Sequence, residues 1–481
     1  MGSGRAELRL VAIVLAVIAL MAPDVAAQER ELRGLERTIR TLDETYAAPI
    51  DPNLSLTERS FFDVGGYVSL TGIWLNDIDD NTRRLFQPEV TLYGRAIVDG
   101  AHTFFGRARF QYRDFSPGDS FDGRGDRWRE PFLDRYWYQF DLAAAQVASG
   151  GDEPDWNFNV RVGRQFLDWE GGLVLSENLY AVRPTLSFGR FSIEGLAGVT
   201  PGDESVIDFD ASRDGFDEDT ERGFFGGTLR YVFGNGNQLY GYGLYMPDYN
   251  SDSDPRAPIG VPVNFDYEAS YLGIGSRGAL GGQFTYLGEF VYQFGTSQSD
   301  PLRGPQTEED ISAWAARGQI AWLSRGRERV RVELEGLFAS GDDDRLVTTD
   351  TVGGNLSGTT DNAFNSLGFV NTGLAFSPSL SNLMLFRLGA IGFPFHDVDG
   401  LERLQLGADL IVLSKLDPDG PVEEATSDSR YLGFEADLIL NYRITNDLSF
   451  IGRYGAFFPG DAIVGGKHTR HFVYAGVTLA F

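Results

Sequence analysis

Arginines recur at odd-numbered positions in the stretch GRARFQYRDF, residues 106–115. Arg107, Arg109 and Arg113 share this parity, and apolar residues such as Ala108 and Phe110 lie between them. A guanidinium group stays charged at any relevant pH and binds a carboxylate through two parallel hydrogen bonds. The stretch could therefore bind anionic solutes, or it could pair with acidic side chains of the same chain.

Other residue types that carry out chemistry are sparse. None of the four histidines, at 102, 396, 468 and 471, has a serine-rich partner segment with the spacing of a catalytic motif. Asp342, Asp343 and Asp344 offer oxygen ligands for calcium, but the distant glutamate that closes a calcium loop is missing, which favours a solvated loop. The sequence therefore predicts no enzyme, no cofactor and no metal site.

The composition excludes several classes of protein. The 481 residues carry a net charge of -28, and an acidic surface does not suit nucleic acid, whose phosphates need a basic partner. The absence of cysteine excludes a disulfide scaffold, a thiolate metal site and lipoprotein attachment.

The first 27 residues have the pattern of a secretory signal peptide. Arg5 and Arg9 precede an apolar run at 10–22, and small residues follow up to Ala27. Cleavage there would remove two basic and two acidic residues, so the charge of -28 belongs to the exported chain. No later apolar run reaches the roughly 18 residues that a spanning helix needs.

A short amphipathic helix is expected at 29–46, followed by a linker at 47–60 that contains Pro49 and Pro52. Its apolar stripe consists of Leu32, Leu35, Ile39, Leu42 and Tyr46. The helix either packs on the main domain or forms a short coiled coil that assembles a homo-oligomer. The native mass in detergent, with and without residues 28–60, distinguishes the two.

From Phe61 onward the pattern has period two, and residues 61–481 divide into eighteen candidate strands. The expected strands begin near 61, 85, 101, 132, 156, 180, 190, 223, 237, 266, 279, 311, 328, 383, 401, 431, 447 and 469. Connections after odd-numbered strands are mostly long, and those after even-numbered strands are mostly tight. This alternation predicts an all-β fold, a transmembrane antiparallel β-barrel of about eighteen strands, with short turns and both termini in the periplasm. The connection at 143–155 is too long for this pattern, and 172–178 could be an extra strand.

The last strand supports a location in the outer membrane of a Gram-negative-type bacterium. Its alternate positions are apolar, and the chain stops at Phe481. This ending resembles the signal that the barrel-assembly machinery recognises, so that machinery and outer-membrane lipid are the expected partners.

The alternation also assigns residues to the inner face, because a guanidinium facing lipid would cost about 2–4 kcal/mol near the midplane. The arginines assigned to the inner face are Arg95, Arg107, Arg109, Arg113, Arg135, Arg161, Arg183, Arg230, Arg317, Arg329, Arg331, Arg387, Arg403, Arg443, Arg453 and Arg470. The acids assigned to it are Asp63, Glu89, Asp141, Glu194, Asp266, Glu268, Glu289, Glu333, Glu335, Asp409, Glu435 and Asp437. Arginines outnumber acids there, so the acidic excess belongs to loops such as 200–222.

The long connection at 340–382 is expected either to fold into the pore or to remain an ordinary exposed loop. Gly353, Gly354, Asn355, Asn362 and Asn365 would suit a flexible constriction.

Three segments resemble the alginate export family of outer-membrane barrels: 431–463, which contains LGFEADL and FFPGD, 332–344, which reads VELEGLFASGDDD, and 160–173, which reads VRVGRQFLDWEGGL. The resemblance implies an eighteen-stranded channel for an anionic polysaccharide such as alginate. On the matching segments it points to Arg161, Arg164, Glu435, Asp437, Arg443 and Arg453 as residues of the lumen.

The leading hypothesis is an outer-membrane channel that passes anionic solutes or an anionic polysaccharide by passive diffusion through an arginine-lined lumen. In one alternative the barrel is a general, non-selective porin. In the other it is a structural or receptor barrel with a blocked lumen and acidic external loops, whose arginines pair with acids to hold the wall rigid.

Overall fold

A computed structural model of the protein describes residues 53–76, 78–116, 126–201, 222–249, 264, 266–301, 303–345, 355–422 and 424–481. The expected signal peptide at 1–27, the amphipathic helix at 29–46 and the glycines at 353 and 354 lie outside the described residues. In the described ranges, no helix is long and apolar enough to cross a membrane.

The described chain forms eighteen strands and one short helix. They are β1 (Phe61–Asn76), β2 (Thr82–Val98), β3 (His102–Phe115), β4 (Arg127–Asp141), α1 (Leu142–Ala148), β5 (Trp156–Asp168), β6 (Ser176–Phe188), β7 (Phe191–Val199), β8 (Gly223–Val232), β9 (Gln238–Met246), β10 (Glu268–Leu280), β11 (Phe284–Gln298), β12 (Glu308–Leu323), β13 (Arg331–Ala339), β14 (Leu383–Gly392), β15 (Leu404–Lys415), β16 (Tyr431–Arg443), β17 (Leu448–Pro459) and β18 (Arg470–Ala480). Each strand begins within about five residues of its expected start, as the period-two pattern predicts.

The sheet is closed and antiparallel. Every strand pairs with its neighbours in the chain, and β1 pairs with β18 from Tyr67↔Ala480 to Leu75↔Phe472. In hydrocarbon the backbone N–H and C=O groups have no water to bond, so only a sheet without free edges satisfies them. The expected all-β transmembrane antiparallel barrel of about eighteen strands is confirmed.

The two faces of the wall differ as the alternation predicts. On β14 the side chain of Leu388 is exposed and that of its neighbour Arg387 is buried. On β3 the same contrast separates Phe110 from Arg109. Exposed apolar side chains face outward and polar side chains face inward, because a charged group costs free energy in the lipid but not inside.

Two connections did not fit the expected alternation, the long one at 143–155 and the possible extra strand at 172–178, and the structure explains both. The connection between β4 and β5 contains α1, whose first turn is capped by Asp141 accepting a hydrogen bond from the N–H of Ala144. No extra strand forms at 172–178, because β6 begins at Ser176 and the residues before it, including Leu173, pack inside the barrel.

The barrel therefore has a turn end, where connections such as 99–101 and 189–190 are short, and a loop end, where the long connections lie. The residues before β1 lie at the turn end. There Arg59 forms an ion pair of 2.8 Å with Asp99 and donates a hydrogen bond to the carbonyl of Ala148.

Part of the connection between β13 and β14 enters the barrel. We call residues 355–382 the inward segment. Phe364 belongs to an apolar cluster with side chains of β5 to β13. Phe376 belongs to a second cluster with side chains of β13 to β17, and Leu374 belongs to a third with side chains of β1, β2, β3 and β18. The segment thus contacts the wall on opposite sides of the lumen, and the expectation of a loop folded into the pore holds for it.

Candidate functional site: the inner wall and the inward segment

The β3 arginines are held in buried ion pairs. Arg107 donates two hydrogen bonds to Asp134, at 2.9 and 2.7 Å, and neither side chain is exposed. Arg109 forms a two-point contact with Glu89, and both side chains are almost fully buried. Arg113 lies on the same face and is partly exposed. The arginines that opened the sequence analysis face inward, but Arg107 and Arg109 are elements of the wall and do not contact the water of the lumen.

A chain of ion pairs runs along the inner face from β6 to β10. Glu194 of β7 lies between Arg183 and Arg230, at 2.6 and 3.0 Å. Arg230 also binds Glu170 at 2.6 Å, and Arg277 lies 3.6 Å from the same carboxylate. We call these five residues the first network.

A second network lies on β12 to β14. Glu335 accepts hydrogen bonds from Arg317 and Arg387, both at 2.7 Å. Arg317 also donates to the carbonyl of Gly171, at 3.1 Å. The second network therefore ties the wall to the same β5–β6 connection that contains Glu170.

In both networks the arginines are more exposed than the carboxylates. The side chains of Arg183, Arg230, Arg277 and Arg317 remain between 20% and 37% exposed, whereas Glu194 is 6% exposed and Glu170 and Glu335 are 0% exposed. The carboxylates are thus covered by their partners. The guanidinium groups are thus the more exposed partners in both networks.

Arginines near the turn end have neutral partners. Arg403 donates to the side-chain oxygen of Asn446, at 3.1 Å, and Arg443 donates to the carbonyl of the same residue, at 3.1 Å. Arg443 of β16 pairs with Ser449 of β17, and Arg453 lies four residues farther along β17. Arg453 donates to the carbonyls of Leu440 and Gly452.

The remaining turn-end arginines differ from one another. Arg331 pairs with Glu333, and Arg329 lies in the turn between β12 and β13, in the left-handed backbone region. That conformation is uncommon for a residue with a side chain.

Aromatic rings line the inner face of β2 to β4 near the turn end. Phe105 stacks between Tyr93 and Trp137, with ring centres 6.4 and 5.4 Å apart. The guanidinium of Arg161 lies 4.0 Å from the centre of the Trp137 ring, and that of Arg95 lies 6.0 Å from the Phe105 ring. Such cation–π contacts contribute about 0.5–2 kcal/mol each.

Arg164 directly follows Gly163, whose φ of +131° departs from regular strand geometry, so alternation with Arg161 does not decide its face. It is buried at the point where β4 and β5 stop pairing, 5.6 Å from the ring centre of Tyr180. Arg135 is also buried there, and its guanidinium lies 5.1 Å from the Phe166 ring.

Two acids differ from their expected inner position. Glu268 shares the outer face of β10 with Leu272, and it accepts a hydrogen bond from Tyr245. Asp266 precedes β10 and belongs to the connection at the loop end. The expected parity of β10 was wrong by one residue, since Leu272 and Ile274, which share the parity of Glu268, are exposed on the outer face.

Glu435 anchors the inward segment to the wall. Its carboxylate accepts hydrogen bonds from the backbone N–H groups of Leu374, Ala375 and Phe376, the last two at 2.7 and 2.8 Å. Asp437, also buried, lies two residues farther along the same face of β16. Both residues were expected to line the lumen for a solute, but Glu435 binds the chain's own backbone.

Further contacts hold the same segment along its length. Arg387 donates to the carbonyl of Asn371, Tyr271 donates to that of Asn365 at 2.8 Å, and Phe369 N–H donates to that of Gly172. Asp361 forms a buried ion pair with Arg345 at 2.7 Å. Because these bonds reach β10, β14 and the connection between β5 and β6, the inward segment is attached to the wall at several points.

Sequence reasoning missed three acids of the inner wall. Glu170 lies in a connection, in the left-handed backbone region, and reaches the first network from there. Asp134 lies beside a register shift between β3 and β4, and Glu424 reaches Arg470 from a loop. Period two cannot assign residues outside regular strands, but Glu170 lies in the segment 160–173 that resembles the alginate export family, which was the available signal.

The histidines and aspartates that were considered for catalysis and metal binding include several that form hydrogen bonds within the chain. His102 and His471 are bonded to tyrosine hydroxyls, at 2.8 and 2.9 Å. The oxygens of Asp342, Asp343 and Asp344 lie within 4.8 Å of one another. Asp342 accepts hydrogen bonds from two backbone N–H groups, and its burial raises the pKa of its carboxyl above the ordinary value.

Solved structures resemble this fold. The structure of OccK11 (OpdR) of Pseudomonas aeruginosa aligns with a TM-score of 0.50 at 11% identity, over 87% of this chain and 96% of that chain. That of OccK2 (OpdF) from the same organism, in complex with glucuronate, aligns with a TM-score of 0.50 at 12% identity, over 87% and 98%. At such identities the likeness shows the fold alone, which is that of an outer-membrane barrel of the porin type.

The sequence comparison adds the family. The model of the alginate export family matches residues 201–475, which is more than half of the chain. The chain therefore belongs to the alginate export family of outer-membrane channels. A search of curated proteins finds no match.

We predict that Arg107→Glu destabilises the barrel. The new carboxylate would be buried against Asp134, and breaking a buried pair costs about 3–5 kcal/mol. The free energy of unfolding from lipid vesicles, measured by denaturant titration, should fall by this amount. The charge-swapped double variant R107E/D134R should recover part of the loss, and an unchanged stability for R107E alone would show that the pair does not hold the wall.

We predict that Glu435→Ala loosens the inward segment. Three backbone N–H groups would lose their acceptor, and each buried donor without a partner costs about 1–3 kcal/mol. Hydrogen exchange of the folded barrel should become faster in residues 371–378. Glu333→Ala is the control, since Glu333 is bonded to Gln319 and Arg331 of the wall; equal exchange in both variants would contradict the anchoring role.

Proposed function

We propose that the protein is an outer-membrane channel that passes anionic solutes, or an anionic polysaccharide such as alginate, by passive diffusion without a chemical step. The short turns and both termini lie in the periplasm, and the long loops lie outside the cell. The observation that carries the proposal is the exposure of arginine over buried carboxylates in the first and second networks.

Electrostatics gives the reason for anion preference. Within a narrow conduit with low-dielectric walls, charges of one sign concentrate the field and raise the local concentration of ions of the opposite sign. Here the exposed cations lie on β6, β8, β10 and β12, and the carboxylates that neutralise them are withdrawn from the water. An anion therefore finds hydrogen-bond donors along the wall, whereas a cation finds few accessible carboxylates in these networks.

The inward segment supports a second candidate, a barrel whose lumen is closed. The segment contacts opposite sides of the wall, and its backbone is bonded to Glu435, Arg387 and Gln293. A structural or receptor barrel would use such a closed lumen, and its acidic loops would bind a partner outside the cell. The two candidates differ in whether any solute passes.

Solute uptake by proteoliposomes tests the proposal. Wild-type barrel should admit glucuronate faster than glucose, which has a similar ring but no charge. The double variant R183Q/R277Q should reduce this preference by about tenfold or less, since it removes two lumenal charges. Arg230 remains in that variant to neutralise both Glu170 and Glu194.

The control variant R190Q/R325Q removes the same charge from turns between β6 and β7 and between β12 and β13. It should keep the wild-type preference. Equal uptake of both sugars by the wild type would contradict anion preference and indicate a general porin. No uptake of either sugar would favour the barrel with a closed lumen.

A further inference from the structure

An open cavity lies at the turn end of the barrel. Its volume is about 840 Å³, and it is lined by the turns after β12, β14 and β16 together with the adjoining ends of β15 to β18. This volume is in the range of pockets that hold small ligands. In the orientation proposed above, the cavity is at the periplasmic mouth of the channel.

Arginines from all three turns and their flanks converge on the cavity. Arg327, Arg329, Arg403 and Arg443 line it, and they outnumber its two acids, Glu402 and Asp447. The four guanidinium groups come from three elements, the turn after β12, the turn after β14 and the end of β16, and give the cavity a positive charge. An anion entering from the periplasm meets them before it reaches the networks farther inside.

The hydrogen-bond partners of Arg403 and Arg443 are neutral. Each donates one hydrogen bond to an oxygen of Asn446, which is neutral, and in the described chain neither forms an ion pair. This differs from both networks, where every arginine contacts a carboxylate. A guanidinium has five N–H donors, so each of the two retains donors for a carboxylate in two-point geometry.

Neutral groups beside the arginines suit a saccharide. Gln405 and Asn441 are hydrogen-bonded to each other at 2.8 Å, and both line the cavity together with Tyr442. Amides can donate to and accept from hydroxyl groups, which a sugar carries and a simple inorganic anion lacks. The cavity thus combines charge for a carboxylate with amides for hydroxyls.

A further arginine lies between the cavity and the inward segment. Arg443 pairs with Ser449, and Arg453 lies four residues farther along β17, about 13 Å at the rise of a strand. The hydrogen bonds of Arg453 go to the backbone carbonyls of Leu440 and Gly452. A ligand with several carboxylates in a row could therefore contact the cavity and Arg453 in succession.

We propose that this cavity is a capture site for the end of a carboxylate-bearing oligosaccharide that enters from the periplasm. Arg403 and Arg443 bind a carboxylate, Gln405 and Asn441 bind neighbouring hydroxyls, and Arg453 receives the next carboxylate. This inference rests on the proposed function and adds a site and an entry side to it.

Calorimetric titration of the purified barrel in detergent tests the site, with tetragalacturonate as the probe and maltotetraose as its neutral counterpart. Tetragalacturonate should bind and maltotetraose should not. The variant R403Q/R443Q should bind about a hundredfold more weakly, because it loses two charged hydrogen bonds and each is worth roughly a factor of ten. R190Q/R325Q should bind as the wild type does, and both variants should fold because the substituted side chains are exposed.

Current recordings in planar bilayers test the entry side. Tetragalacturonate added to the turn-end side should interrupt the current more often than the same amount added to the other side, and R403Q/R443Q should abolish the difference. Equal binding of both tetrasaccharides, unchanged binding by R403Q/R443Q, or equal interruption from both sides would overturn the inference. Preferential glucuronate uptake would then still stand, so failure of the capture site is distinguishable from failure of the channel.

Discussion

The charged side chains inside this barrel must be neutralised in a confined space, and the arrangement of arginines and carboxylates on the inner face follows from that constraint. Buried carboxylates are costly unless they are paired and hydrogen-bonded. Glu89, Asp134 and Glu194 meet this condition through arginines. Since an arginine is long, its head can cover a carboxylate and still reach water. Around Glu194 the pairing withdraws the carboxylate from water while Arg183 and Arg230 stay partly exposed, whereas the pairs of Glu89 and Asp134 are buried almost as a whole.

The inward segment follows from a second feature of the same wall. Inner positions near the loop end are apolar, as Ile411, Leu413 and Leu385 show, and such side chains would be misplaced in a water-filled lumen. They are buried because Phe376 and its neighbours pack on them. Glu435 then fixes the backbone of the segment at that point. The inner wall is therefore packed against the inward segment near its loop end, and a cavity opens at its turn end between the ends of β15 to β18.

The strand order and the face on which most strand residues lie could be predicted from the sequence, whereas the ion-pair partners of the inner arginines could not. Alternation placed Arg317 and Glu335 on one face because both lie in regular strands. It could not show that Glu170 reaches Arg230 from a connection, or that Asp134 lies beside a register shift. Nor could it show that Arg107 is buried, because burial there depends on its partner and on packing across strands. Resemblance to the alginate export family indicated the class of channel but assigned Glu435 to solute, whereas the carboxylate binds the inward segment.

The zero-current potential of the reconstituted wild-type barrel between unequal potassium chloride concentrations tests the central claim most directly. If guanidinium groups are what the lumen presents, chloride is the more permeant ion, and the potential should lie toward the chloride equilibrium potential. Raising the salt concentration on both sides should weaken this preference through screening. A potential that lies toward the potassium equilibrium potential, or the absence of any current, would contradict the account.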